Sequence, residues 1–441
     1  MKRILCFIIA AIMLLAAVSC DSSKIEESTQ GAESTAGATV PSQSEESEAS
    51  SETIAPSAEE SEDESEKATE LASDTEASET ETETDTETET ESMEDDEMIY
   101  PEKDEVIVLA NDEVYGWWEG YNMVKTDSTP FYRHEDIYYP NPVTFTWPEK
   151  ENADYYRVYL STDENFEADK TEKYLVNTNS LTLSHLFTGT KYYWQVIYTE
   201  MGSDGDSNFQ LVAPRSFSTA ESPRCLEIEG VSNTRDIGGI IAQNGYRIKQ
   251  GMIYRGGKLE NITDEGKAFF LNYVGIKTDL DLRTPGEGGA GGKSPLGSDI
   301  NYVNIDGRYY VGSKGITTEQ GKELFAQEIR LFADPDNYPI YIHCSLGRDR
   351  TGTLAFVIEG LLGVNKNRLI MDYELSVFSV TGTADNASIS AIKNNILETY
   401  NYINSCSGKS FQEKTENYLL SIGITEEEIQ TIKDLLLEEV K

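Results

Sequence analysis

Apolar and polar positions along this 441-residue chain fall into four regimes. Lys2 and Arg3 precede an apolar run from Ile4 to Val18. That run is short for a hydrocarbon core of about 30 Å, which needs about 20 residues, and it reads as the hydrophobic region of a signal peptide over 1–20. Residues 21–98 hold no aromatic residue, and their Thr/acid alternation through Glu79–Glu91 leaves neither face apolar. Such a stretch cannot bury enough surface to offset its ordering entropy, so a disordered linker is expected. Between 99 and 222, Val143-Thr144-Phe145-Thr146-Trp147, Tyr155–Leu160, Leu181/Leu183 and Tyr192–Tyr198 alternate with period two between polar turns. This predicts an all-β antiparallel sandwich. The segment before Pro142, with Trp117, Trp118 and Tyr121, is longer than such a sandwich requires. Residues 223–441 change register again. An apolar strand over 339–342 runs into a polar loop, and an apolar helix from Leu354 to Leu362 stops at Gly363. Strand, loop and helix in that order predict an α/β domain.

Charge narrows the function. The chain carries 36 Lys+Arg against 79 Asp+Glu, a net −43, of which −26 lies in residues 21–98 and −19 in 99–441. An acidic balance excludes a nucleic-acid binder held by its overall field. An anionic substrate must therefore be caught by a local basic pocket. Cys6 and Cys20 lie in the leader, leaving Cys225, Cys344 and Cys406, which excludes a disulfide scaffold. The only histidines, His134, His185 and His343, are not at ligand spacing, so no metal and no cofactor are expected.

The chemistry concentrates in Tyr338-Pro339-Ile340-Tyr341-Ile342-His343-Cys344-Ser345-Leu346-Gly347-Arg348-Asp349-Arg350-Thr351-Gly352. The loop's N–H groups sit where a helix begins, a place that attracts anions. Gly347 permits the positive φ that turns successive amides inward as a nest. Cys344 lies at the base of this nest, and Arg350 comes six residues later. A free thiol of pKa about 8.5 is only about 3 % thiolate at pH 7, and each unit of lowering requires about 1.36 kcal/mol of preferential stabilisation. Amides, helix terminus and guanidinium can supply several units between them. The same donors bind the oxygens of a transferring phosphoryl group, and a guanidinium grips two of them.

These residues resemble the signature of cysteine-dependent protein tyrosine phosphatases, Cys-x5-Arg with a preceding His. The version His-Cys-x-x-Gly-(Lys/Arg)-Asp-Arg-Thr-Gly resembles their bacterial branch with dual-specificity members. Asn233–Gly239, Gly251–Gly257, Lys277–Arg283 with Glu287, and Asp372–Ser376 match that branch's other motifs in order. The resemblance implies Cys344 as nucleophile, Arg350 as phosphate binder, Thr351 as an aid to thiolate departure, and Asp349 as general acid. Asp306 is the alternative acid, at a strand end where related enzymes carry an acid loop. Ser345, Leu346, Gly347 and Arg348 would cradle the phosphate, with Arg235 and Asp236 also touching substrate. His343 either orients the loop or is a satisfied strand-end histidine. Arg255, Lys258, Arg283 and Arg308 are either a basic rim or structural ion pairs.

Two further resemblances frame the domain. Ala17-Val18-Ser19-Cys20 resembles a bacterial lipobox, implying lipidation at Cys20 and a membrane anchor facing outward. Leu186–Tyr192 resembles the corner segment of fibronectin type III domains, with Thr188 in place of the usual Pro and Trp147 as the buried tryptophan. The expected protein is thus a surface phosphatase for phosphorylated protein or peptide. The alternatives are an exported inositol-phosphate phosphatase, or a binding protein whose sandwich takes a surface polymer or protein while the phosphatase is inactive. Cys225 or Cys406 as a disulfide partner protecting Cys344 is a further expectation.

Overall fold

The computed structural model describes residues 98–202, 205–379 and 386–440. The expected signal peptide, Cys20 and all but the last residue of the linker lie outside them.

The alternating segments form β1 (Val106–Ile107), β2 (Val143–Thr146), β3 (Tyr155–Ser161), β4 (Thr171–Val176), β5 (Ser180–Leu183), β6 (Lys191–Glu200) and β7 (Ser207–Thr219). One sheet runs β1-β7-β6-β3-β4 and a second pairs β2 with β5. Tyr156, Val158 and Leu160 of β3 and Tyr192, Trp194 and Val196 of β6 turn inward onto Phe145 and Trp147, as period two requires. Trp147 and Trp194 are fully buried, so these aromatics are core. The Tyr192 hydroxyl accepts the Phe187 N–H at 2.8 Å.

Beyond β1 and Leu109, the long segment before Pro142 leaves this sandwich. Its helices α1 (Asp112–Glu119, capped by the Asn111 side chain) and α2 (Glu135–Tyr138) bring Val114, Trp117, Tyr121, Ile137 and Tyr138 together. They pack on Met371, Leu375 and Phe378, far along the chain. This strap gives the amphipathic residues of 110–139 a surface that the sandwich could not offer.

The remaining strands are β8 (Arg224–Cys225), β9 (Arg235–Asp236), β10 (Tyr246–Ile248), β11 (Ile253–Gly256), β12 (Thr278–Asp281), β13 (Asn301–Asn304), β14 (Ile340–His343) and β15 (Leu437–Glu439). Six of them form a mixed sheet ordered β13-β12-β14-β11-β9-β8, while β10 pairs with β15. Its centre is parallel, β12, β14 and β11 running side by side, which buries both faces of β14. Around it lie α3 (Asp264–Ala268), α4 (Glu319–Arg330), α5 (Asp349–Leu361), α6 (Lys366–Ser379), α7 (Asn386–Asn404), α8 (Phe411–Ser421) and α9 (Glu426–Leu436). From Thr351 to Leu361, α5 is buried all round, the behaviour of a central helix without a polar stripe. Sandwich and α/β domain are stitched by part-buried polar bonds. Arg224 reaches the His185 carbonyl at 2.7 Å, Arg247 the Gly189 carbonyl at 2.9 Å, and Gln250 accepts the Thr188 N–H at 2.9 Å.

Candidate active site

Strand β14 delivers His343 and Cys344 to the C-terminal edge of the parallel strands, and α5 starts five residues later. Ligand sites of open α/β sheets lie at that edge. Gly347 has φ +68, and a Cβ there would meet the Gly256 backbone at 2.2 Å, so both conformation and close approach demand glycine. The loop's carbonyls are tied outward. Asn233 Nδ2 donates to Leu346 O at 2.9 Å, Arg255 Nη2 to Gly347 O at 2.8 Å, and the Lys258 N–H to Ser345 O at 3.4 Å.

With its carbonyls engaged, the loop turns donors toward sulfur. Burial alone would push the Cys344 thiol up. The Thr351 hydroxyl and N–H, the Arg350 charge and the Leu346 N–H outweigh it and hold the thiol below its ordinary value. The Thr351 hydroxyl is fully buried with no other partner. His343 is also buried, with Nε2 2.9 Å from Asp279 and Nδ1 3.3 Å from the Cys344 carbonyl. Burial would lower its pKa; the Asp279 carboxylate, with Asp281 beyond it, raises it instead. Both ring nitrogens thus face an acceptor, the Asp279 carboxylate and the carbonyl of the adjacent Cys344.

Arg350 is held from across the sheet. Its Nη1 and Nη2 reach the two oxygens of Glu287 at 2.8 and 2.7 Å, and Ser345 Oγ donates to the same carboxylate at 2.7 Å. The Arg350 hydrogen bond is the main cause that lowers the Glu287 carboxyl to about 2. Asp349 Oδ1 receives the hydroxyls of Tyr310 and Tyr373, the latter at 2.9 Å, and Arg348 Nε at 3.0 Å. Burial pushes this carboxyl up, and the Arg348 bond and charge with the two hydroxyls push it further down, so it lies below its usual range. Asp306 is placed otherwise, accepting from Thr284 Oγ1 at 2.8 Å and pairing with Arg308 at 3.2 Å.

Two expected substrate contacts are engaged within the fold. Arg235 and Asp236 are 1 and 3 % exposed. Arg235 binds Asp372 at 2.8 Å and Asn233 at 2.7 Å. Asp236 binds Arg224 at 2.6 Å and the N–H groups of Gly238 and Gly251. The same burial decides Arg255, whose Nη1 meets Asp372 at 2.5 Å, and Arg283, which pairs with Asp281 and Glu260 at 2.8 and 2.6 Å. These are structural ion pairs, Arg235 and Arg255 converging on Asp372 so that the loop rests on a buried carboxylate. Sequence reasoning gives no role to Asn233, Asp372, Glu287, Tyr310 or Tyr373. All but Tyr310 lie inside matched motifs, which is the available signal, whereas Tyr310 acquires its place only through tertiary contact. Cys225, Cys344 and Cys406 are free thiols, and burial pushes Cys225 up to about 12. Among the described residues, no three His, Cys, Asp or Glu gather as a metal site. A separate cavity of about 270 Å³ is lined by Trp118, Arg224, Arg235, Arg368, Met371 and Asp372, and does not reach Cys344.

Residues 226–438 match the tyrosine phosphatase family. A putative tyrosine-protein phosphatase of Cupriavidus necator is 26 % identical over 175 residues, covering 34 % of this chain and 61 % of the relative. A tyrosine-protein phosphatase of Nostoc commune is 28 % identical over 203 residues, covering 37 % of this chain and 67 % of the relative. The chain thus spans about three fifths to two thirds of these relatives' length. Among solved structures, the core catalytic domain of the PP-IP phosphatase SIW14 from S. cerevisiae, in complex with citrate, matches at 19 % identity with a TM-score of 0.22, over 37 % of this chain and 95 % of that one.

Proposed function

We propose that the α/β domain hydrolyses phosphate monoesters, phosphotyrosine foremost, through a phosphocysteine on Cys344. One observation carries this reading: a buried sulfur that receives the Leu346 and Thr351 N–H groups stands beside an arginine pre-oriented by Glu287. In the first step the Cys344 sulfur forms its bond to phosphorus as the ester oxygen leaves. Loop amides and Arg350 hold the non-bridging oxygens, whose charge grows in the transition state. In the second step water attacks phosphorus and the S–P bond breaks, with the Thr351 hydroxyl easing the thiolate's return. Asp349, the carboxyl within the loop, handles protons.

The charge around the loop favours phosphotyrosine over a polyanionic inositol phosphate. Arg348, Arg283 and Arg308 are each paired with a carboxylate, so the basic rim that a polyanion calls for is largely spent. A panel of phosphotyrosine peptide, phosphoserine peptide, phosphoinositide and phytate, with Cys344→Ser as blank, tests this. Release from phosphotyrosine by wild type alone is expected. Equal release by Cys344→Ser would overturn the phosphocysteine mechanism, and preference for phytate would overturn the substrate class.

The sandwich is read as a fibronectin type III-like spacer, supported by the Tyr192–Phe187 bond, and the segment ahead of it as a tether to a lipid on Cys20. Loss of membrane fractionation in Cys20→Ser would support that anchor; unchanged fractionation would refute it.

A further inference from the structure

The loop between β13 and α4 carries Asp306 near its start and, four residues on, the hydroxyl of Tyr310. Tyr310 sits there with φ +59, a left-handed conformation unusual for a bulky side chain. Its setting is built rather than accidental. The Tyr310 carbonyl accepts the Ile316 N–H at 3.1 Å, and a Cβ on Gly315 would strike that carbonyl at 2.0 Å. The ring is 8 % exposed and its hydroxyl lies against both Asp349 and the Tyr373 hydroxyl from α6. Burial raises both tyrosines, with the Asp349 charge adding to it, so each is a neutral donor.

Three donors, Tyr310, Tyr373 and Arg348 Nε, therefore converge on a single oxygen, Asp349 Oδ1. Among the described residues, the other oxygen, Oδ2, accepts only from Arg348 Nη2, at 3.3 Å. A carboxylate bound in this way is stabilised in its charged form, and the edge left open is an acceptor.

We propose that Tyr310 and Tyr373 are positioning residues that keep Asp349 a carboxylate, so that its Oδ2 accepts the water proton in the second step rather than supplying a proton in the first, which makes the site selective for aryl over alkyl phosphates. This inference rests on the phosphocysteine reading above. In step one the S–P bond forms and the P–O bond breaks, and the oxygen leaves with the electron pair, taking its proton from solvent. In step two water attacks phosphorus, its proton passes to Asp349, the S–P bond breaks and the thiolate returns; Asp349 then loses the proton to solvent. An aryl oxide, with a conjugate acid near pKa 10, leaves without prior protonation far more readily than an alkoxide, whose basicity approaches that of hydroxide from water of pKa about 15.7.

The test uses the full chain with a series of substituted phenyl phosphates and a phosphoserine peptide, with kcat and kcat/KM measured against pH. Wild type should show a steep dependence of kcat/KM on leaving-group acidity at pH 7 and at least about a 10³-fold preference for aryl substrates, the order of effect that a positioned proton donor supplies when present. Tyr310→Phe and Tyr373→Phe should each flatten that dependence and extend it to higher pH. Asp349→Asn should keep a burst of phenol release and slow the steady-state turnover after the burst, because only the second step loses its base. Iodoacetamide alkylation of Cys344 at pH 6, unchanged in the variants, reports an intact loop. A shallow leaving-group dependence in wild type, or loss of the burst in Asp349→Asn with alkylation intact, would overturn the inference. Tyrosine variants that lower all substrates equally at every pH would do the same. Turnover surviving in Cys344→Ser would instead refute the phosphatase reading beneath it.

Discussion

Arg350 and Glu287 face each other through a two-armed ion pair, 2.7 and 2.8 Å, although 63 residues separate them. The pair fixes the plane of the guanidinium before any phosphate arrives, and Ser345 shares the same carboxylate.

Removing that anchor should weaken phosphate capture without displacing the nucleophile. Glu287→Ala is expected to lower kcat/KM by about 10–100-fold, the equivalent of the 1.5–3 kcal/mol of a charge-assisted hydrogen bond. Steady-state kinetics on an aryl phosphate checks it, with Cys344 alkylation as the control. The pair also predicts an acid limb of stability. The Glu287 carboxyl is depressed to about 2 in the fold, so its contribution is present above the ordinary glutamate value of about 4.3 and is lost as pH falls toward 2. A pH series of urea unfolding should show that loss in wild type and less of it in Glu287→Ala. The Glu287 side chain is 38 % exposed, so solvent screening keeps the effect modest.

Gly347→Ala should abolish loop geometry. A methyl group would need φ +68 and would overlap the Gly256 backbone at 2.2 Å, and neither backbone can yield cheaply. A fall of at least about 100-fold in kcat is expected, the usual cost of misplacing a reacting group by about 1 Å. A fall of less than about tenfold would show that the loop reshapes freely.

Asp372→Asn removes the buried charge on which Arg235 and Arg255 converge. Two arginines left without their carboxylate cost about 3–5 kcal/mol. Urea denaturation monitored by tryptophan fluorescence measures it, and activity should fall with stability because Arg255 also holds the Gly347 carbonyl.

The strap gives an independent test of the same support. Trp117 packs edge-on against Phe378 of α6 with ring centroids 5.1 Å apart. Trp117→Ala should cost about 3–5 kcal/mol and raise hydrogen exchange along α6, detectable by mass spectrometry. Unchanged exchange there would mean that α6 stands without the strap.

Asp349→Asn should reduce turnover far more than Asp306→Asn, because Asp349 belongs to the loop while Asp306 is engaged with Thr284 and Arg308. Equal or reversed losses in kcat would overturn the assignment.

What could be read directly was whatever depends on neighbours along the chain. Period-two alternation announced the sandwich strands, since β3 and β6 turn alternate side chains inward. The order of apolar strand, glycine-bearing loop and apolar helix announced the nest around Cys344, because φ at Gly347 and the start of α5 are local matters. Long-range partners were another question. Arg235 and Asp236 looked like surface ligands, yet β9 lies beside β11 and delivers them to Asp372 and Arg224. Glu287 finds Arg350 because the strand ahead of it, β12, is the sheet neighbour of β14. Tyr310 reaches Asp349 only because a loop after β13 folds back over α5, and residues 110–139 find their apolar surface on α6 instead of the sandwich. Local backbone preference and periodicity act over a few residues and are written in sequence order. Which charge meets which across many tens of residues depends on strand adjacency, a property of the packed sheet alone.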